Sequence, residues 1–295
     1  MQHSTKSAPN KNVAFYGTTK VVPFQNMMRS NTYISVERRT ESLPRANVLG
    51  VGIHAIDMER AVAQSEQLLA NGGKGYVCVT GVHGVMESRS DPDLRAILNR
   101  AYLCLPDGMP TVWVGWLQGH GEMKRVYGPD YMMAMCRQSL SRDYRHFLYG
   151  GKPGVAERLK TNLKRQMPGL QVVGTYTPPF EPLDARQESE LVAAVARTKP
   201  DIFWVGLSTP KQERFMAQYL ERLDVKLMAG VGAAFDLHAG LRHDAPSWMK
   251  PCGLQWLHRL YQEPGRLGPR YLKHNPQFLW EICHQLVGPQ RFKLQ

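Results

Sequence analysis

The sequence predicts an α/β protein: a mostly parallel β-sheet with helices on both faces, followed by a helical and basic C-terminal segment. Short apolar runs of strand length recur from residue 47 onward. Segments with apolar residues at helical spacing separate most of these runs. Apolar strands that alternate with helices are typical of parallel sheets buried on both sides. After residue 245 the strand-like runs stop, and aromatic and basic residues alternate instead.

Seven apolar runs are predicted to be strands. They are VLGVGI (48–53), YVCVT (76–80), YLCLP (102–106), HFLYG (146–150), LQVVGTY (170–176), DIFWVG (201–206) and KLMAGVG (226–232). Apolar residues repeat with the period of an α-helix over 58–70, 155–167 and 188–198. Strands that alternate with helices in this order indicate a Rossmann-like fold.

Charge and proline positions divide the chain into three predicted parts. Residues 1–46 hold seven Lys or Arg and two Glu, as do residues 250–295, so the ends carry most of the formal net charge of +12. We predict a mostly disordered basic leader over 1–45, an α/β domain over 46–245 and a helical appendage over 246–295. Prolines 264, 269 and 276 are expected to divide the appendage into two or three short helices. Basic ends suit a polyanion or an anionic membrane surface as partner, and the alternative is that the charge only keeps the protein soluble.

Composition argues against several classes of protein. The five cysteines show no C-x-x-C spacing, which disfavours disulfides and zinc and suits the cytoplasm. The N-terminus lacks the apolar segment of a signal peptide, and no run reaches about 18 apolar residues, so we expect peripheral membrane contact only. A G-x-G-x-x-A pattern at 50–55 lies inside the first run, and the second run ends without an acidic residue. Both facts disfavour a nicotinamide site, and we predict no cofactor and no metal.

Asp107 is the strongest candidate for a catalytic group. It follows a predicted buried strand in the stretch LPDGMPTVW, where a helix is expected to begin. Ligands of open α/β sheets bind at the carboxyl ends of the strands, and a carboxylate there can act as a general base. Arg125 and Asp130 follow in RVYGPD and add a cation and a second carboxylate. The alternative is that Asp107 only caps the helix.

Three further strand ends carry polar or small residues. Gly150, Gly151 and Gly154 open a helix, where free N–H groups could cradle a diphosphate, and a tight turn is the alternative. Gln212 follows the sixth strand in GLSTPKQERF and is expected to point toward the same crevice. Asp236 lies in GVGAAFDLHAG, where small residues leave room for a ligand or for close packing.

The appendage interleaves cations with aromatic residues. Arg259, Arg266 and Arg270 are seven and four residues apart, so a regular helix would place them on one face. Converging guanidinium groups suit a diphosphate, and interleaved Trp and Tyr suit the headgroup region of a membrane. The alternative is that these arginines are solvated surface charges without a ligand.

Taken together, these motifs resemble the WecG/TagA/CpsF family of bacterial glycosyltransferases, glycosyltransferase family 26. The resemblance runs from about Asn47 to Arg270 and rests on ordered blocks: LPDGMPTVW, RVYGPD, LYGGKPGVAE, VGLSTPKQE, GVGAAFDLHAG and LHRLYQEPGRLGPRYL. It implies an inverting, metal-independent transfer from a UDP-sugar to a saccharide linked to undecaprenyl diphosphate. It also implies synthesis of a cell-surface polysaccharide or exopolysaccharide at the cytoplasmic face of the membrane.

The resemblance also assigns roles to residues. Asp107 matches the catalytic base, and the C-terminal arginines match residues that contact the donor diphosphate, on an appendage that closes over the site at the membrane. Pocket residues are matched by Arg125, Asp130 and Gln212. The chain departs from the pattern after its second strand, where Thr80 is present without the usual Asn, and His83 is the nearest larger polar group. Thr80 and His83 are the residues that we expect to contact substrate at this strand end.

Some alternatives stay open at the level of sequence. A non-catalytic, membrane-associated module that binds nucleotide sugars could use the same basic tail. Nucleic acid is disfavoured as a partner because no nucleic-acid-binding module is recognisable. The donor sugar could be N-acetylmannosamine, its uronic acid or glucose, and the chain could form a homo-oligomer.

Overall fold

The chain contains a parallel six-stranded sheet and a separate two-stranded hairpin. A computed structural model describes residues 43–249, 252–288 and 292–294, without the side chains of Ser247 and Arg266. The predicted leader lies outside the described residues up to residue 42. The strands are β1 (Arg45–Val48), β2 (Val51–His54), β3 (Gly75–Thr80), β4 (Leu103–Pro106), β5 (Arg145–Gly150), β6 (Gln171–Tyr176), β7 (Ile202–Gly206) and β8 (Leu227–Gly230).

Helices follow nearly every strand of the large sheet. They are α1 (Met58–Ala70), α2 (Val82–Ser90), α3 (Pro92–Arg100), α4 (Met109–Leu117), α5 (Gly128–Arg142), α6 (Val155–Gln166), α7 (Ala185–Thr198), α8 (Lys211–Tyr219), α9 (Ala234–His238), α10 (Gln255–Gln262) and α11 (Pro264–Val287). A short 3-10 helix, Ser247–Met249, precedes α10. No described helix has both the length and the apolar character needed to cross a membrane.

The strand order in the large sheet is β4-β3-β8-β7-β5-β6, and all of its pairs are parallel. The carboxyl ends of all six strands therefore lie along one edge. The predicted Rossmann-like fold class is confirmed.

Helices cover both faces because the strands are apolar on both sides. In β5, Phe147 and Tyr149 join the hydrophobic cluster on one face and Leu148 joins that on the other. In β7, Phe203 faces the first cluster and Trp204 the second. A strand buried on both faces loses the polar alternation of a surface strand, which explains the continuous apolar runs in the sequence.

The first predicted strand, 48–53, is wrong. The chain turns at Leu49 and Gly50, which have positive φ angles of 53° and 91°, and β1 pairs antiparallel with β2. Two central residues with positive φ form the kind of tight turn that fits a β-hairpin, and Gly50 adopts it without steric cost. The apolar run therefore folds back on itself and does not enter the large sheet.

The C-terminal segment forms α10 and α11, of which α11 is longer than its prolines predict. Pro264 lies at the start of α11, where a missing N–H costs nothing, but Pro269 and Pro276 lie inside this 24-residue helix. An internal proline costs about 3 kcal/mol of helix stability. Burial of Phe278 and Ile282 against the core offsets that cost, so the predicted breaks at Pro269 and Pro276 are wrong.

Candidate active site

A cavity of about 340 Å³ lies at the carboxyl ends of β3 and β4. Its walls come from the first residues of α2 and α4, from the segment before α5, and from α10 and α11. Its polar lining includes His83, Asp107, Arg125, Tyr127, Thr209, Gln255, Arg259, Arg270, His274 and Asn275. Its apolar lining includes Val79, Met109, Trp113, Trp256, Tyr271, Phe278 and Leu279.

Asp107 is a partly buried carboxylate in the cavity wall. The N-cap of α4 is Gly108, and the Asp107 carboxylate accepts a hydrogen bond from the backbone N–H of Gly128 at 3.3 Å. The alternative in which Asp107 caps the helix that follows it is therefore wrong. Burial raises the pKa of Asp107, although Arg125 and Arg259 oppose that shift. A carboxylate with a raised pKa is a stronger base than one in water, which suits removal of a proton from a hydroxyl.

Arg125 links Asp107 to the C-terminal helices. Its Nε donates to the backbone carbonyl of Asp107 at 2.6 Å, and its guanidinium lies 4.3 Å from the centre of the Tyr127 ring. Its Nη2 also donates to the side-chain oxygen of Gln255, the first residue of α10. The Gln255 amide in turn donates to Asp244 at 2.9 Å. This network positions α10 beside the carboxylate.

Two of the three predicted tail arginines line the cavity. Arg259 projects from α10 and Arg270 from α11. Arg259 lies close enough to Asp107 to lower the pKa of its carboxyl. Arg266 lies in the first turn of α11, and its side chain is outside the described part of the chain. The helices of the appendage thus bring two cations to the cavity that holds the candidate base.

Thr80 and His83 lie at the end of β3 and the beginning of α2. The Thr80 side chain is buried and accepts a hydrogen bond from the Cys104 thiol at 3.4 Å, while its backbone carbonyl accepts from the N–H of Asp107 at 3.1 Å. His83 lines the cavity, and its ring stacks on that of His274 with 5.3 Å between centroids. Burial, with Arg270 and His274 nearby, lowers the pKa of His83 to about 3, so its ring is neutral at neutral pH.

The glycine turn after β5 is not among the described residues that line the cavity. Strand β5 is three positions from β3 in the sheet, a distance of about 14 Å at the usual spacing of about 4.8 Å between strands. Gly150 has a φ of 123°, and a Cβ there would lie 2.6 Å from the carbonyl oxygen of Gly206. Close backbone packing thus explains Gly150, and the contact of Gly150, Gly151 and Gly154 with a diphosphate stays a prediction.

The other predicted polar residues stand outside the cavity lining as far as the structure describes it. Gln212 is buried behind the wall, where its amide and the hydroxyl of Thr209 both donate to Glu213. Asp130 is exposed in the first turn of α5, and its charge contributes to the raised pKa of Asp107. Asp236 forms an ion pair with Arg242 at 3.0 Å. Substrate contacts of these three residues stay predictions.

Comparison with known proteins identifies the family. The model of the family described as "Glycosyl transferase WecG/TagA/CpsF family" matches residues 46–292. The chain belongs to this family. It is therefore an enzyme, a hexosyltransferase of the WecG/TagA/CpsF type, which favours catalysis over the alternative of a binding module.

Two curated relatives carry the same name, N-acetylglucosaminyldiphosphoundecaprenol N-acetyl-beta-D-mannosaminyltransferase. The protein from Bacillus spizizenii is 28% identical over 206 residues, which cover 70% of this chain and 78% of the relative. The protein from Bacillus subtilis is 30% identical over 177 residues, which cover 60% of this chain and 67% of the relative.

Sequence reasoning missed several cavity residues of this WecG/TagA/CpsF enzyme. His274 and Phe278 follow Arg270 at intervals of four residues on α11, and all three line the cavity. That helical spacing was a usable signal, but the predicted break at Pro276 concealed it. Gln255 and Tyr127 carry no comparable signal, because only tertiary packing brings α10 beside the loop before α5.

Proposed function

We propose that the protein is an inverting, metal-independent glycosyltransferase. It moves a sugar of the N-acetylmannosamine or glucose type from a UDP-sugar to a saccharide on undecaprenyl diphosphate, in synthesis of a cell-surface polysaccharide or exopolysaccharide. The observation that carries the proposal is the cavity in which Asp107 lies with Arg259 and Arg270. The names of the two relatives support an acceptor of this class and a mannosaminyl donor.

Asp107 acts as the general base. Its carboxylate takes the proton of the acceptor hydroxyl while that oxygen bonds to the anomeric carbon of the donor. The bond from the anomeric carbon to the β-phosphate oxygen breaks, and UDP leaves with the electron pair. Because the acceptor attacks from the side opposite the leaving group, the anomeric configuration inverts. The hydrogen bond from Gly128 and the contact with Arg125 hold the Asp107 segment in place.

Arginines stabilise the charge that develops on UDP. Guanidinium groups bind phosphate oxygens in pairs of hydrogen bonds and stay charged at all working pH values. Arg259 and Arg270 lie on different helices, so they reach the cavity from two directions. They take the place of the divalent cation that other nucleotide-sugar enzymes hold against a diphosphate. The sequence accordingly has no D-x-D at a strand end.

An exposed apolar stripe on α11 fits the surface of a membrane. Leu272, Leu279 and Trp280 are 78%, 63% and 67% exposed, and their spacing of seven and eight residues places them on one side of the helix. Leu279 and the partly exposed Trp113 and Trp256 also line the cavity. A lipid-linked acceptor could thus enter from the bilayer with its sugar toward Asp107. We propose peripheral binding at the inner face of the cytoplasmic membrane, and self-association stays a prediction.

A UDP-release assay tests the proposed reaction. Chelator-treated enzyme is offered UDP-N-acetylmannosamine, its uronic acid and UDP-glucose, with a lipid-diphosphate-linked N-acetylglucosamine acceptor, and with or without Mg²⁺ or Mn²⁺. We expect acceptor-dependent release from one donor, unchanged by either metal, and a product of inverted anomeric configuration by NMR. A retained configuration would contradict the displacement, and release that requires Mn²⁺ would contradict the role given to the arginines.

Binding to vesicles tests the membrane surface separately. We expect Leu272→Ser with Leu279→Ser to weaken co-sedimentation with phosphatidylglycerol vesicles by about tenfold or more, since a buried leucine contributes about 1.5–3 kcal/mol. Leu140→Ser, at an exposed leucine on α5, is the matched control and should bind as the unchanged protein does. Equal loss in both variants would argue against a docking surface on α11.

A further inference from the structure

Three side chains of α2 and α11 form a compact cluster, and two of them, His83 and His274, line the cavity. Nδ1 of His83 lies 3.3 Å from Nδ1 of His274 and 3.7 Å from Oε1 of Glu87. Nε2 of His274 lies 3.9 Å from the same carboxylate oxygen. One ligand atom from each residue fits within a span of 4.8 Å. The cluster therefore joins a helix of the sheet domain to the long C-terminal helix.

The separation of the two imidazole nitrogens also fits a pair of ligands on one metal ion. In a tetrahedral zinc site with metal–nitrogen bonds of about 2.0–2.1 Å, two nitrogen ligands lie about 3.3 Å apart. Oε1 of Glu87 lies 3.7 Å from Nδ1 of His83, which is too long for a hydrogen bond but close to the separation of two zinc ligands, and one ligand atom from each of the three residues fits within 4.8 Å. A cation between the three groups would draw the carboxylate inward.

The surroundings favour a transition metal over magnesium or calcium. Two imidazoles and one carboxylate are ligands that zinc prefers, whereas magnesium and calcium take oxygen. Burial keeps both rings neutral, the form in which imidazole binds a metal. The His83 ring also bonds to the backbone of Thr209, an outer contact of the kind that orients metal-binding histidines. The Glu87 side chain is 36% exposed, which leaves a route of entry.

We propose that His83, Glu87 and His274 bind a divalent transition metal ion, zinc above all, which fastens α11 to α2. Water would take the fourth position. Arg270 lies one helical turn before His274 and lines the cavity without belonging to the metal cluster. This role is structural and separate from proton transfer by Asp107. The proposal does not depend on the identity of the sugar donor or acceptor.

Metal titration of the untagged full chain is the first test. After chelator treatment, the protein is titrated with Co²⁺ by visible absorption and with Zn²⁺ against a chromophoric chelator. We expect one equivalent bound and a cobalt spectrum of low coordination number. His83→Asn, His274→Asn and Glu87→Gln should each lose that equivalent. His120→Asn, which changes a histidine outside the cluster, should retain it.

Hydrogen exchange tests whether the metal holds α11 against α2. Glu87→Gln is the variant of choice because the Glu87 side chain is partly exposed, so the change should disturb folding least. At free Zn²⁺ about 100-fold above the dissociation constant, opening of α11 that separates the ligands should be suppressed up to about 100-fold. We expect slower exchange over residues 267–285 in the unchanged protein and in His120→Asn, but not in Glu87→Gln. Less than a stoichiometric equivalent of metal, or binding and protection that Glu87→Gln retains, would overturn the proposal.

Discussion

Replacing Asp107 with Asn tests the proposed base most directly. The change removes the negative charge and the proton-accepting capacity but retains the size of the side chain. The amide oxygen of Asn can still accept the hydrogen bond from Gly128, and Arg125 bonds to the backbone carbonyl of residue 107, which the substitution does not alter. The local structure should therefore persist.

The expected loss follows from the role of the carboxylate. A positioned general base contributes about 10²–10⁴-fold to rate, so kcat/KM should fall by about that factor, equivalent to about 3–5 kcal/mol of transition-state stabilisation. The free energy of unfolding, unlike the rate, should not fall. Since burial raises the pKa of Asp107 in the folded protein, ionisation disfavours folding above the pKa of the unfolded chain, about 3.9. We expect Asp107→Asn to be as stable as the unchanged protein at pH 7, or slightly more so.

The pH profile and the rate of Asp107→Asn together test whether Asp107 is the general base. Initial rates of UDP release across pH should show an acid limb above the usual range of an Asp, because the base works only when it is deprotonated and its pKa is raised. The limb should vanish in Asp107→Asn. Asp224→Asn, at an exposed position before β8, is the matched control. A general base contributes about 10²–10⁴-fold, so activity of Asp107→Asn within about fivefold of the control would refute the assignment. An unchanged acid limb in the pH profile of Asp107→Asn would refute it as well.

Three further predictions concern the tail, the sheet and acid stability. Arg270→Gln should raise KM for the donor and lower kcat while circular dichroism stays unchanged, and a lowered melting temperature without a kinetic effect would indicate a structural role. Gly150→Ala should lower the free energy of unfolding by about 2–5 kcal/mol through its positive φ and its contact with Gly206, whereas Gly121→Ala, with open space around it, should not. Burial lowers the pKa of His146 to about 4, so the unfolded chain takes up the proton first as pH falls below about 6.5. Denaturant titrations should show a loss of about 3 kcal/mol from this group between pH 6.5 and 4, and His146→Gln, which can still accept from Trp204, should lose less.

The sequence by itself determined the elements whose signals are local. Six of the seven predicted strands lie within two residues of those observed, because a buried parallel strand is a short apolar run bounded by polar or turn residues. The position of Asp107 followed from the same rule, since a residue after such a strand lies at the ligand-binding edge of the sheet. The family also followed from ordered motifs along the chain.

Tertiary structure alone decided what depends on contacts between distant segments. The run 48–53 is apolar enough for a strand, and only the conformation of Leu49 and Gly50 makes it a hairpin. Pro276 favours a break, but burial of Phe278 against the core keeps α11 continuous. Strand order separates the glycine turn after β5 from Asp107, and packing brings Arg259, Arg270 and His274 to the cavity from helices far along the chain. The local sequence determines which secondary structure each segment prefers. Whether the segment adopts that structure depends on how much apolar surface it buries against other segments, which only the folded chain decides.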